Sequence, residues 1–440
     1  MEQMIFQDTI FALSSGALPS GVAVVRISGP GVRRALGVLC GRMPVERRAE
    51  FREIRATDGE IIDNGVVLFF AGPKSFTGED VAELQVHGGR GVVATVLGEL
   101  GAIEGLRQAE AGEFTRRAFL NGKMDLTGAE ALADLIASET ETQRRFAVAN
   151  ASGQQGAFYR AWRQRIVHAR ALVEAELDFA DEADVGDAPS AGVWPDMRGL
   201  VDEIDAHLAS YHRAEIIREG FRVVIVGAPN AGKSSLLNAL AARDVAIVTE
   251  EAGTTRDLIE VPLDLGGVKV LVTDTAGLRD NAGRVETVGI ARARKRAAEA
   301  DLILSLTDLS APVAVADRFG SVPIWTIGTK ADLIRDIPAA EYCHAISVRT
   351  GLGLDRLMEA LEATATAAAS VTGVLPSRLR HVELLSQCRT LLLAAVVGGR
   401  ALELRAEELR RAGDALGKIV GAVDVEELLG TIFSNFCIGK

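Results

Sequence analysis

Residues Gly227-Ala-Pro-Asn-Ala-Gly-Lys-Ser234 fit GxxxxGK[ST], directly after the apolar run RVVIV and before the helical run SLLNAL. Few short sequences constrain a fold as tightly. The glycines let main-chain N–H groups turn inward around phosphate oxygens, and the helix that follows adds the partial positive charge of its N-terminus. Lys233 is placed to reach the β- and γ-phosphates, and the Ser234 hydroxyl to ligate Mg²⁺. A strand–loop–helix unit of this kind needs a parallel sheet around it. The chain supplies further buried-strand candidates in VKVLVTD, DLILSLTD and VPIWTIG, separated by helix-sized segments. The alternation predicts a doubly wound α/β domain over 218–370.

Short polar boxes follow in order. Gly253-Thr-Thr-Arg-Asp257 offers Thr255 as a second hydroxyl for Mg²⁺. Asp274-Thr-Ala-Gly277 ends a strand; its carboxylate would hold Mg²⁺ through water and the Gly277 N–H would sense the γ-phosphate. Thr329-Lys-Ala-Asp332 follows another strand, and a carboxylate there accepts two hydrogen bonds from guanine that adenine cannot supply. Ser347-Val-Arg349 closes the base pocket. The set points to GTP. Guanine-specific GTPases usually carry Asn at the place of Thr329 and Ser-Ala-Lys at the place of Ser347-Val-Arg349, so weaker affinity with retained guanine selectivity is expected.

The 440 residues exceed one ordinary core. Before the GTPase segment, Val22–Ser28, Gly65–Phe70 and Val81–His87 read as strands and Gly91–Leu100 as a helix, an α+β domain over 1–121. Helical texture follows from about Lys123. Phe158, Trp162, Ile166, Ala169, Val173 and Leu177 share one helix face, and Met197–Arg218 continues the helical pattern. Asp178–Pro195, acidic and bearing Pro and Gly, reads as a loop. Helix returns after about Ser370, with apolar stripes at Leu384, Leu385, Cys388, Leu392, Val396 and at Leu409, Ala412, Leu416, Ile419. The simplest architecture is multidomain α+β and α/β: a discontinuous helical domain over 122–217 and 371–440, with the GTPase domain inserted into it.

The net charge of −12 argues against a general nucleic-acid coat and leaves RNA binding to a local surface. Candidate surfaces are the run Arg160, Arg163, Arg165, His168, Arg170 and the cluster Arg292, Arg294, Lys295, Arg296, although a solvated helix face explains both. Apolar stretches are too short to span a bilayer, and the N-terminus lacks a signal-peptide pattern. The four separated cysteines read as reduced thiols of a cytoplasmic protein. Cys437 stands four residues from the end, but Gly439 and Lys440 do not suit a prenylation box.

Across nearly its whole length the sequence resembles the MnmE (TrmE) family of tRNA modification GTPases. The resemblance lies in Asp8-Thr-Ile, Val25-Arg-Ile-Ser-Gly-Pro30, Phe76-Thr-Gly-Glu-Asp-Val-Ala-Glu-Leu84 and His87-Gly-Gly89. It continues in Gly112-Glu-Phe-Thr-Arg-Arg-Ala-Phe-Leu-Asn121, Lys123-Met-Asp-Leu126 and Phe436-Cys-Ile-Gly-Lys440. It implies an N-terminal domain that dimerises and binds a 5-formyl- or 5,10-methylene-tetrahydrofolate through Arg26, Glu83, Lys123 and Lys440. It implies K⁺ at Asn230, Thr249, Glu251 and Thr254, Mg²⁺ at Ser234 and Thr255, and Glu286 as the residue orienting the attacking water, with Lys233 and Asn230 also serving hydrolysis. The nucleotide contacts it implies are Asn230, Ala231, Gly232, Lys233, Ser234, Ser235, Thr249, Glu250, Glu251, Ala252, Gly253, Thr254, Thr255, Asp274, Thr275, Ala276, Gly277, Thr329, Lys330, Asp332 and Ser347. Cys437 would lie near the folate, as a participant in modification or as a buried structural thiol.

The activity so implied is K⁺-dependent hydrolysis of GTP, coupled with an FAD-containing partner, MnmG. The pair adds an aminomethyl or carboxymethylaminomethyl group at C5 of the tRNA wobble uridine (U34); no DNA and no membrane is involved. Two rivals differ in class. A ribosome-assembly or other RNA-binding GTPase switch would bind no folate, and a folate-dependent transferase with a vestigial nucleotide domain would show no K⁺-stimulated turnover.

Overall fold

The computed structural model describes residues 6–178, 190–243, 245–247, 260–274, 296–313, 321–335, 341–370 and 373–423, with positions 429, 430, 432, 433, 436 and 439. Two compact units emerge, each discontinuous in sequence. One comprises Met1–Ala133, Asn150–His168 and Arg410–Lys440, the other Asp134–Ala149 and Ala169–Leu409.

The first unit is built on six strands: β1 (Thr9–Leu13), β2 (Ser20–Ser28), β3 (Glu50–Arg55), β4 (Ile61–Phe70), β5 (Val81–Gly88) and β6 (Leu106–Gln108). They lie in the order β3-β4-β5-β2-β1-β6, all neighbours antiparallel except β1 and β6. Alternation sends Val25, Ile27, Leu84 and Val67 to one face. Helices α1 (Val32–Cys40) and α2 (Arg90–Ala102) cover that face with Val32, Ala35, Leu36, Leu39, Val93, Val96 and Leu100. Each aliphatic side chain buried there is worth about 1.5–3 kcal/mol. Helices α3 (Glu113–Leu120) and α4 (Leu126–Ile136) follow. Gly112, at φ 67°, is where the C-terminal segment packs: a Cβ there would meet the Phe433 carbonyl at 2.6 Å.

The second unit contains the parallel sheet expected from the alternation. Strands β7 (Phe221–Gly227), β8 (Glu260–Leu265), β9 (Val268–Asp274), β10 (Leu302–Asp308), β11 (Ile324–Thr329) and β12 (His344–Ala345) lie in the order β12-β11-β10-β7-β9-β8. Only the β8–β9 pair is antiparallel, as a hairpin at the edge. Val223, Ile225, Val270, Leu304 and Leu306 fill one side, with helices α9 (Lys233–Ala241) and α10 (Leu354–Ala368) against them through Leu236, Leu240, Leu357 and Leu361.

The remaining helices are α5 (Glu141–Ala151), α6 (Gln154–Asp178), α7 (Val193–Ala209), α8 (Tyr211–Glu219), α11 (Leu379–Val396) and α12 (Leu402–Val420). The apolar faces read from sequence are buried at Trp162, Ile166, Ala169 and Val173, at Leu385, Cys388, Leu392 and Val396, and throughout the Leu409–Ile419 stripe. One boundary needs correction. The loop expected over 178–195 gives way at Val193, and Pro195 stands inside the first turn of α7, where its missing N–H leaves no helical bond unmade. Burial pushes the Cys388 thiol up to about 12 and Cys40 up to about 11, the inert side of thiol chemistry. Among the described residues no helix is long and apolar enough to cross a membrane.

Candidate functional site

Strand β7 delivers the chain to Gly227 at the C-terminal edge of the sheet, and α9 begins six residues later at Lys233. Between them Asn230 adopts φ 64° and Gly232 φ 92°, both left-handed, which curls the loop main chain around a central space. Gly227 is also forced by packing, since a Cβ there would sit 2.6 Å from the Leu306 carbonyl. Lys233 lies largely buried, and its Nζ donates to the Gly227 and Ala228 carbonyls at 3.1 and 3.0 Å. The ammonium is thereby held within the loop that would surround the phosphates. Ser234, one residue on, donates its hydroxyl to Asp274 Oδ2 at 2.8 Å across the sheet. Parallel register of β7 with β9, Ile225 opposite Asp274, makes this meeting possible. A serine hydroxyl beside a nearly fully buried carboxylate is a hard-oxygen pair of the kind Mg²⁺ takes, so Ser234 and Asp274 fit the ion. Mg²⁺ bound there would neutralise charge on the β- and γ-phosphates.

The base end departs from the usual pattern in a way the coordinates explain. Thr329 is buried, and its Oγ1 lies 2.8 Å from the Ala231 carbonyl and 3.2 Å from the Thr307 carbonyl. A hydroxyl carries one proton, so it serves these two acceptors in turn; an amide side chain would have two N–H donors and a carbonyl as well. The loop tie is kept, with fewer polar groups. Lys330 follows at φ 57° and pairs with Asp308. Asp332 lies exposed on a 3₁₀ turn over Ala331–Leu333, whose Ala331 N–H donates to the Ile346 carbonyl at 3.0 Å. Ser347 is buried, and its Oγ accepts from the Thr350 N–H at 3.3 Å. The structure thus joins Asn230, Ala231, Gly232, Lys233, Ser234, Asp274 and Thr329 directly, and sets Asp332 and Ser347 on adjoining turns. Thr249, Glu250, Glu251, Ala252, Gly253, Thr254, Thr255, Thr275, Ala276, Gly277 and Glu286 lie outside the described residues, as do Arg292, Arg294 and Lys295.

In the first unit, Arg26 on β2 and Glu83 on β5 are cross-strand partners. Arg26 Nε and Nη2 both donate to Glu83 Oε1, at 3.1 and 2.9 Å. The guanidinium also lies near the rings of Phe76 and Phe114, 5.4 and 5.8 Å from their centroids. Both partners are about one-fifth exposed, so an incoming ligand can reach them. Cation, carboxylate and aromatic faces suit a molecule with a flat hydrogen-bonding ring and acidic groups, which a folate is. Lys123 Nζ donates to the Pro73 carbonyl at 2.7 Å. Cys437 and Lys440 lie outside the described residues.

Sequence reading missed the centre beside this pair. Arg117 is fully buried and meets Asp8 Oδ1 at 2.8 Å, Glu113 Oε1 at 3.0 Å and Glu79 Oε1 at 3.2 Å. Burial would raise the Glu113 carboxyl, yet hydrogen bonds from Arg107, the Glu110 N–H and Arg117 hold it below the usual range. Burial prevails at Glu79, whose pKa is raised despite the Ser28 hydroxyl and Arg117. The one available signal was that Asp8, Glu79, Glu113 and Arg117 all fall within blocks carrying the family resemblance. The basic run on α6 is partly spent internally: Arg160 on Asp125 at 2.5 Å, Arg163 on the Gly413 carbonyl at 3.2 Å, Arg170 on Glu174 at 2.7 Å. A cavity of about 780 Å³ at the opposite ends of β7, β10 and β11 contains no nucleotide-box residue, and its His212–Asp301 and Arg222–Glu215 pairs satisfy one another.

A phosphate loop between a parallel strand and a helix, with a base loop two strands away, defines a P-loop GTPase domain within the second unit. Comparison with known proteins carries this further. The MnmE helical domain profile matches residues 126–437, and that of the GTP-binding protein TrmE N-terminus matches 9–123. The tRNA modification GTPase MnmE of Mesorhizobium japonicum is 58% identical over 443 residues, covering 99% of this chain and 100% of that protein. Its counterpart in Chelativorans sp. is 58% identical over 441 residues with 100% of both covered, and that of Brucella melitensis 56% over 437 with 99% of both. Solved structures similar to part of the chain include Aquifex aeolicus Era bound to GDP and AlF4⁻, at 22% identity and TM-score 0.27 over 39% of this chain and 66% of that one. The chain belongs to the tRNA modification GTPase MnmE family, and is a GTP hydrolase of tRNA modification.

Proposed function

We propose that the protein hydrolyses GTP in a K⁺-dependent manner and, with an FAD-containing MnmG partner, installs an aminomethyl or carboxymethylaminomethyl group at C5 of U34 in certain tRNAs. A tetrahydrofolate derivative held at Arg26, Glu83, Lys123 and Lys440 supplies the added carbon. The observation that carries this reading is the coexistence of two unlike sites in one chain: Lys233 and Ser234–Asp274 for a triphosphate and Mg²⁺, and the aromatic-flanked Arg26–Glu83 pair for an acidic heterocycle. A ribosome-assembly switch has no use for the second.

The chain's own contributions to hydrolysis are positional and electrostatic. Main-chain amides of 228–234 and the Lys233 ammonium stabilise charge that grows on the phosphate oxygens. Glu286 orients the attacking water, and Asn230, with Thr249, Glu251 and Thr254, holds K⁺, which supplies positive charge beside the phosphates. Thr255 joins Ser234 at Mg²⁺. The domains are 1–121 for folate and dimerisation, 122–217 and 371–440 for the helical part, and 218–370 for the nucleotide. The working form is a cytoplasmic homodimer that contacts tRNA.

GTP turnover by the purified protein in KCl against NaCl tests this reading, together with binding of 5-formyltetrahydrofolate. Stimulation by K⁺ that vanishes in Glu286→Ala, with nucleotide binding kept, is the expected result. Equal turnover in both salts, or absence of folate binding, would defeat it.

A further inference from the structure

The parallel sheet does not stand alone in its compact unit; residues 134–149 are packed into it as well. They make two sets of contacts, at two different places. At the first, Asp134 Oδ1 accepts from Arg218 Nε at 3.3 Å and from Arg378 Nη2 at 2.7 Å. Arg218 is in the last turn of α8, just before β7 starts, and Arg378 immediately precedes α11, just after the nucleotide segment ends. Arg218 Nη1 also donates to the Ser377 carbonyl at 2.7 Å, and Gln143 Nε2 to the Arg218 carbonyl at 2.9 Å. One carboxylate therefore ties together the two points where the chain passes into and out of the GTPase segment. At the second place, the Thr142 N–H donates to the Gly267 carbonyl at 3.0 Å and Glu139 pairs with Lys269. Gln143 Oε1 links the two sets by accepting from the Glu139 and Thr140 N–H groups at 2.8 and 3.1 Å.

Gly267 and Lys269 belong to the β8–β9 turn and the start of β9. The other end of β9 is Asp274, the carboxylate that takes the Ser234 hydroxyl. Seven extended residues span about 20 Å. The strand is hydrogen-bonded on both sides, to β7 and β8, so it moves as a rod and does not stretch. The carboxylate beside Ser234 and the contacts to Glu139 and Thr142 therefore lie at opposite ends of one strand.

We propose that Asp134, Glu139, Thr142 and Gln143 form the seat through which the state of the nucleotide site reaches the helical part of the chain. Glu139 and Asp134 are positioning residues: they touch no phosphate, and their removal separates hydrolysis from modification. A half-buried ion pair between arginines at both chain crossings suits this role, because a carboxylate left without either arginine is costly and the elements it joins move together. The inference rests on the reading that hydrolysis drives modification of the wobble uridine.

Charge reversal provides the test, in the full-length chain. Glu139→Lys and Lys269→Glu are made singly and together. GTP turnover is measured on purified protein, and modified wobble uridine by nucleoside mass spectrometry of tRNA from cells carrying each variant as sole copy. Each single change is expected to keep turnover within about twofold while lowering modification at least about fivefold, the lower end of ordinary coupling between sites. The double swap is expected to restore it. Unchanged modification in the singles, no recovery in the double, or turnover falling in proportion would each overturn the proposal. Asp134→Asn should show the same split; if it melts early, the charge swap still decides. Lys233→Ala should abolish both readouts. Modification surviving in that variant would sink the underlying reading, and the seat with it, whereas failure of the charge swap alone sinks only the seat.

Discussion

The phosphate loop and the Arg26–Glu83 pair bring polar groups together in opposite ways. The loop uses main chain: left-handed Asn230 and Gly232 shape it and Lys233 is held by carbonyls of the loop itself, with Thr329 and Asp274 adding single ties from other segments. The pair uses side chains brought together by antiparallel register, strands apart in sequence, with Phe76 and Phe114 beside them from two further segments. A main-chain site is written locally. A side-chain site is written in the fold, and its charges already satisfy each other before a ligand arrives.

That contrast can be broken experimentally. Lys233→Ala should lower GTP turnover by about 10²–10³-fold, the scale for removing one donor to transition-state charge, while binding of 5-formyltetrahydrofolate by calorimetry stays unchanged. Loss of both would show that the sites are not separately built. Acid stability should separate the two units next. Burial, with His381 nearby, pushes His207 on α7 down to about 4 from its ordinary 6.5. Its folded value is depressed, so its contribution is complete above 6.5 and declines as pH falls towards about 4, a loss of about 3 kcal/mol. In the first unit, Glu113 and Asp8 are lowered carboxylates, burial being outweighed by Arg107 and Arg117, so their contribution persists until pH falls through the carboxylate range. Denaturant melts from pH 7 to pH 4 should weaken the GTPase-bearing unit first, and His207→Gln should flatten that slope.

Glu83→Gln sharpens the comparison from the other side. It removes one charged hydrogen-bonding partner, worth about 1.5–3 kcal/mol in ligand affinity, and should weaken folate at least about tenfold with GTP turnover intact. The smallest effect is expected at Thr329→Asn. Restoring an amide where one hydroxyl serves two carbonyls should tighten GTP by about threefold to tenfold in a fluorescent-nucleotide titration, with preference over ATP unchanged because Asp332 is untouched.

The same division governs what could be read from the chain. Strands β7 and β10, at the middle of the sheet, are near-continuous apolar runs because most of their residues are buried, and the glycine-rich turn between β7 and α9 names its own chemistry. Strand β8 escaped notice: it is an edge strand of six residues with Pro262 inside it, a residue tolerated only where no ladder bond is needed. Strand β3, Glu-Phe-Arg-Glu-Ile-Arg, is an edge whose charges mask the alternation. Arg117 reads as a solvated helix residue, and nothing local reveals that Asp8, Glu79 and Glu113 surround it. Arg26 and Glu83 were reached through family resemblance alone, since a register of two strands fifty-seven residues apart leaves no local mark. The seat at Asp134 was invisible for the same reason, its partners being 84 and 244 positions away.

The Ser14 hydroxyl donates to the Gly439 carbonyl at 2.7 Å, and a Cβ on Gly439 would lie 2.2 Å from the Leu13 carbonyl. The margin of the first strand is therefore covered by residues the ribosome makes some four hundred positions later. During synthesis, the first six-stranded sheet must wait with that margin uncovered while the helices and the second sheet emerge. Shielding of the nascent chain over that interval becomes a requirement of the topology itself.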